Sequence, residues 1–446
     1  MSMFVLVISL AGCPERPIRG RCSTDRPCAD GLVCDMSAGG QAGICVAVVD
    51  GGLDGSADSG LDVSDGGPVT DASSTDAFIP EHPPITNGQS ADLVLGQIDF
   101  TTTGANTGGE GPNSMWQPEG LESDGIRLWV SEFGNRRVLQ FNGQPTANGA
   151  PADLALGQAS MTSHSPGTSQ VLVMGSTRIA EGGGRIFVSD RDNNRVLVWN
   201  ARPTDTGLAA DVVLGKTNFT STGFGKNADQ LMAPLGLWTD GNRLVVADTF
   251  NNRVLIWNSA PTSNATPADV VLGHSAFGIG YGDATGAAPT ASSLAGPEAV
   301  HFDGERLYVA DTGNNRVLVW RGMPTSNGKP ADYVLGQSTF ANRTEDAAQG
   351  STNAVGFHSP RGVHVAHGSL FVCDSDNRRV SVFSPVPEVS ATPASAVLGQ
   401  PDLVTGSPSA PSDRRFGIPI SVTTIGTKLF VADSTANRVL RFQLSP

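Results

Sequence analysis

A chain of 446 residues could hold two or three ordinary domains, but 54 glycines and a charged fraction of 16% point to many short strands and turns. The net charge of −14 is uneven: residues 1–90 hold 12 acids and 4 bases (−8), and residues 91–446 hold 31 and 25 (−6). An acidic tail on a mildly acidic body excludes nucleic-acid binding, which needs a basic face.

In chain order, the first element is the apolar run Met3–Leu10, which ends in Leu10-Ala11-Gly12-Cys13. That tetrapeptide resembles the lipobox of bacterial lipoproteins. The resemblance implies that residues 1–12 are a leader and that Cys13 carries lipid. It also implies a cell-envelope location, with Pro14 after the cysteine favouring the outer membrane, on its periplasmic or its outer surface. The pattern departs from a usual leader in one respect, since no Lys or Arg precedes the apolar run. No run of 18 apolar residues follows, so the lipid is the only membrane attachment expected.

Cys22, Cys28, Cys34 and Cys45 crowd into 24 residues, in a segment (13–45) that resembles small cysteine-rich modules of secreted bacterial proteins. So short a segment lacks a core and needs covalent staples. Four cysteines allow three connectivities, which the sequence leaves open. Their C-x5-C-x5-C-x10-C spacing lacks a zinc knuckle and a nearby histidine. Residues 46–90 follow with seven Asp, one Glu and no Lys or Arg. They read as a disordered acidic linker that cannot offset its ordering entropy.

From residue 91 on, one unit is written six times: P-x-x-V, then R-L-x-V-A-D-x-x-x-N-R-V-L-x-W, then A-D-x-V-L-G-Q. The units start at 118, 176, 234, 297, 360 and 419; each start is proline except Ser176. In the fourth unit the pattern predicts strands over Pro297–Asp303, Arg306–Ala310, Arg316–Trp320 and Ala331–Gly336. The middle two are apolar at consecutive positions, so both their faces are buried. Radial propeller blades are sheets of that kind. The P-x-G-V, L-Y-V-A-D and N-R-V elements resemble NHL repeats, which implies a six-bladed, all-β propeller over residues 91–446. The chain is expected to be a monomer.

The array is circularly shifted. An outer-strand sequence, Ala91–Gln97, comes before the first unit, and the last unit stops after its third strand. The leading strand is therefore expected to complete the sixth blade and remove an open edge.

Features present in every unit belong first to the fold. The loop acids (Glu132, Asp190, Asp248, Asp311, Asp374, Asp433) and the arginines five residues on are expected to form ion pairs that tie the loops. The apolar residue three after each G-Q/K/H (Phe100, Met161, Phe219, Phe277, Phe340, Leu403) should pin the loop that follows. Lone Cys373 reads as a buried spectator. The connections from outer strand to next inner strand run about 17–22 residues, long enough to be functional.

Binding residues are sought where the units differ. No H-E-x-x-H, G-x-S-x-G or P-loop occurs. The second residue of the inner strand varies, with Glu119 and Glu298 in opposed units and Arg361 in the fifth. Arg178 replaces a small residue one position later. These four are the candidate binding site at the channel mouth. His301 and His364 share a register in adjacent units and are the only metal candidates, with two ligands where three or four are needed. Six-bladed peptide-amidating lyases are similar in their repeats, but the positions of their zinc histidines hold Glu119, Thr177, Leu235, Glu298, Arg361 and Ile420 here. The gluconolactonase and paraoxonase group uses acids around a channel calcium, a part Glu119 and Glu298 could play, although the accompanying pattern is missing. The expected function is binding or scaffolding of a protein, peptide or carbohydrate. The alternative is a channel-mouth hydrolase or lyase, with calcium as its cofactor.

Overall fold

The computed structural model describes residues 85–280, 288–348 and 351–444, plus the backbone of three short strands near the N-terminus. Those strands, Arg21–Cys22, Leu32–Asp35 and Gly43–Ala47, form an antiparallel sheet with the last in the middle. Cys34 lies opposite Cys45 in its register. The expected lipid attachment and disulfides fall outside the described residues and side chains.

The remainder is all-β: six sheets of four antiparallel strands. In the fourth, the strands are Pro297–Phe302, Arg306–Asp311, Arg316–Arg321 and Tyr333–Leu335, running from the inside outward. The outer strand is shorter than the pattern suggests: Ala331 donates instead to the Ala291 carbonyl in the preceding long loop, and Asp332 to the Val319 carbonyl. The inner strands touch in cyclic order, the sixth against the first, so the ring is closed. The sixth sheet is completed by Leu93–Leu95, which pairs with Val439–Arg441, as the circular shift predicts. Residues 85–90, placed in the linker by composition, also pack here. Ile85 is buried in the sixth-blade cluster, Asn87 accepts from the Val397 N–H at 2.9 Å, and Gln89 donates to the Gln443 carbonyl at 2.7 Å.

The middle strands of each blade are almost wholly buried, and their side chains fill the spaces between successive sheets. Between the third and fourth blades, for instance, Val245 and Ile256 meet Val309, Leu318 and Trp320. Each such side chain contributes about 1.5–3 kcal/mol on burial.

One polar device recurs at the loop end of every blade. Arg316 donates through Nε to Asp311 at 2.7 Å, and through Nη2 to the carbonyls of Thr290 and Ser293 in the preceding long loop. Its Nη1 takes the Phe340 carbonyl at 2.5 Å in the following one. The carbonyls of Phe100, Met161, Phe219 and Leu403 are held in the same way. In five blades the arginine thus ties its own loop acid to two long loops. In the third, among the described residues, Arg253 bonds Lys226, Asn227 and Gln230 of the preceding loop only, and the Phe277 carbonyl is not held this way. A second tie crosses between blades. Asn252, Asn315 and Asn437 adopt left-handed backbone (φ 52–54°), which asparagine tolerates, and their Oδ1 atoms accept from backbone N–H groups ahead of the next inner strand.

Candidate functional site at the channel mouth

The six inner strands line a central channel, and their residues fall into layers. The third residue of each repeat unit is Gly120, Arg178, Gly236, Ala299, Gly362 or Ser421. Five of these are small, and the inner strands approach closely there: a Cβ on Gly362 would meet the Ile420 carbonyl at 2.4 Å. The space left on the axis is filled by the sixth. Arg178, 6% exposed, reaches from the second blade to the backbone carbonyls of Glu119, Arg361 (2.9 Å) and Ile420 (3.3 Å), on the first, fifth and sixth blades. Arg178 therefore does not sit on an open rim, as its position in the repeat suggested. It floors the mouth and divides the channel in two. Its hydrogen bonds to carbonyls from a cationic donor are each of the stronger kind, about 1.5–3 kcal/mol.

Above this floor stand Glu119, Glu298 and Arg361. The two glutamates are half-buried, and their carboxylates make no hydrogen bond or ion pair with any described residue. Burial pushes both above the usual carboxylate range, against the pull of Arg178, Arg191 and Arg361. The Arg361 Nε is buried and unpartnered. Arg178 keeps its charge despite burial, which pulls its pKa down while Glu119 and Glu298 oppose that shift. The structure thus brings all four sequence candidates into one group.

Arg191 and Trp116, which the sequence pattern did not single out, complete the rim together with His358. Arg191 stacks between Phe133 and Phe250, its guanidinium carbon 5.4 and 5.9 Å from the ring centroids. Trp116 lies flat on the turn at Gly134, where a Cβ would come within 2.3 Å of the indole, and the ring remains 38% exposed. Across the mouth, His358 Nε2 stands 3.4 Å from Glu345 and 3.8 Å from Asp376. The available signal was the same as for Glu119: Arg191 and Trp116 occupy repeat positions filled otherwise in the other blades.

Below the floor lies a narrow cavity of about 40 Å³, room for a few waters, lined in part by Glu122, Trp238, His301, His364 and Thr423. The His301 and His364 rings meet edge to face with centroids 4.9 Å apart, and His364 bonds Thr424 at 3.1 Å. Burial depresses both, His301 to about 4, so neither carries charge at neutral pH. Burial raises Glu122 to about 8. No third ligand joins the histidine pair: among the described residues no group of three or more His, Cys, Asp or Glu could hold a metal. Cys373 is buried, with its thiol pushed up to about 12, as befits a spectator.

No family model matches the chain, and no curated protein matches its sequence. Many solved structures are similar to it. They include a streptogramin B lyase (12% identity over 74% of this chain and 84% of that one, TM-score 0.40). A virginiamycin B lyase from Staphylococcus aureus is similar at 12%, over 75% and 97%, with a TM-score of 0.40. A PQQ-bound aldose sugar dehydrogenase from Streptomyces coelicolor is similar at 16%, over 78% and 97%, with a TM-score of 0.42. Likeness at this level concerns architecture alone and is silent on ligand and chemistry.

Proposed function

We propose that this chain is a cell-envelope lipoprotein of the NHL-repeat kind whose propeller binds a ligand in the loop-side mouth of its channel. The observation that carries the reading is the group of polar side chains above the Arg178 floor that lack a hydrogen-bond partner among the described residues. Buried polar groups in a folded protein are ordinarily paired. The Arg361 Nε is not, and the half-buried carboxylates of Glu119 and Glu298 beside it make no hydrogen bond with a described residue. A recess with convergent polar groups and an aromatic rim is the usual form of a ligand site.

The lipid anchor and the envelope location rest on the Leu10–Cys13 tetrapeptide. The second reading, a hydrolase or lyase, draws on His358 between Glu345 and Asp376 at the same rim, an arrangement suited to proton transfer.

The test is a screen of the full chain against peptide and oligosaccharide libraries by thermal shift, repeated with the double variant Glu119→Gln/Glu298→Gln. Binding by the wild type that the variant loses, with an unchanged unliganded midpoint, supports the mouth as the site. Undiminished binding by the variant moves the site to the long loops. Turnover of a bound compound, lost in His358→Ala, would establish the enzymatic reading instead.

A further inference from the structure

Resting on the mouth as the binding site, we propose that its ligand is the terminal residue of an uncharged carbohydrate chain, entering end-on. Three independent features converge on this. The first is shape. Arg178 closes the channel beneath the mouth, so a chain can enter only by an end and cannot thread through.

The second is charge. Glu119 and Glu298 face Arg178, Arg191 and Arg361, so groups of both signs meet at the mouth. A ligand ammonium would gain from the carboxylates and lose to the guanidinium groups, and a ligand carboxylate would meet the reverse. A neutral group that both donates and accepts loses to neither. Hydroxyls do this: their protons fit the free oxygens of Glu119 and Glu298, and their lone pairs fit the donors of Arg361.

The third is the rim. Trp116 offers an exposed flat ring, held in orientation against Gly134, and Phe250, 44% exposed, stands in the Arg191 stack. Flat, amphipathic aromatic surface beside polar groups suits a sugar ring, which has an apolar face and a hydroxylated edge. The residue behind the terminal one would lie on this aromatic side.

The experiment applies the full chain to an array of neutral, uronic-acid and amino-sugar glycans, and in parallel to peptides with free and blocked termini. Retention of neutral glycans is expected. Trp116→Ala and Glu119→Gln/Glu298→Gln should each weaken it at least tenfold, and Glu122→Gln, below the floor, should not. A bulky cap on the terminal sugar should abolish binding, whereas shortening the glycan from its far end should be tolerated. Binding confined to peptides or charged glycans, but still lost in the mouth variants, overturns the sugar assignment and keeps the mouth. Neutral-glycan binding that ignores these variants overturns both. Binding that survives the cap overturns end-on entry, and retention of no ligand on either array overturns the proposal.

Discussion

The six arginine–acid pairs are the most deeply buried charges in the ring, and their role can be tested one residue at a time. Arg316 is fully buried, with Nε and both terminal nitrogens engaged. Removing one member of a buried pair strands the other, at about 3–5 kcal/mol. Arg316→Ala is therefore expected to lower the urea midpoint sharply, and Asp311→Ala comparably; a change under 1 kcal/mol in both would remove the structural role. Glu122 makes a pH-dependent prediction. Its pKa is raised in the folded state to about 8, so the folded protein holds this proton more tightly than the unfolded chain. That contribution is fully present below the ordinary glutamate range and is lost as pH rises through about 8. Glu122→Gln should accordingly gain stability relative to wild type between pH 4 and pH 9, by on the order of 1 kcal/mol or more. Parallel stability-versus-pH curves for the two proteins would refute it.

At the level of elements, the closing strand carries the clearest consequence. Leu93, Val94 and Leu95 are at most 1% exposed, and about 1.5–3 kcal/mol for each is a large part of a domain's usual 5–15 kcal/mol. A truncation that spares the ring must lie upstream of Ile85, because Ile85, Asn87 and Gln89 hold the fifth and sixth blades. Residues 85–446 should melt with the intact protein, residues 91–446 somewhat lower, and residues 98–446 much lower. Equal thermal midpoints for the first and last would eliminate the clasp. The clasp was legible in sequence because repetition exposes a missing strand as plainly as an added one. The loop acids and arginines were legible for the same reason. The channel floor was not. Five small residues and one arginine at the third inner position are visible in the sequence, but only the ring's narrow radius shows that Arg178 spans it. Trp116 and Phe250 escaped notice because a single aromatic in a repeat looks like core until its exposure is known.

For the whole molecule, the proposed lipid anchor makes a prediction of its own. With Cys13→Ala the protein should leave the membrane fraction for the soluble one in its own cell envelope, and unchanged fractionation would dismiss the lipid anchor. The arginine floor has a further implication for how such a ring can diversify. Three main-chain carbonyls, one on each of three blades, hold it, so substitutions in the side chains of those residues leave these bonds standing. The two faces are insulated from one another. Mutations that retune the aromatic, charged side need not disturb the histidine-lined side, and each is free to drift toward its own partner.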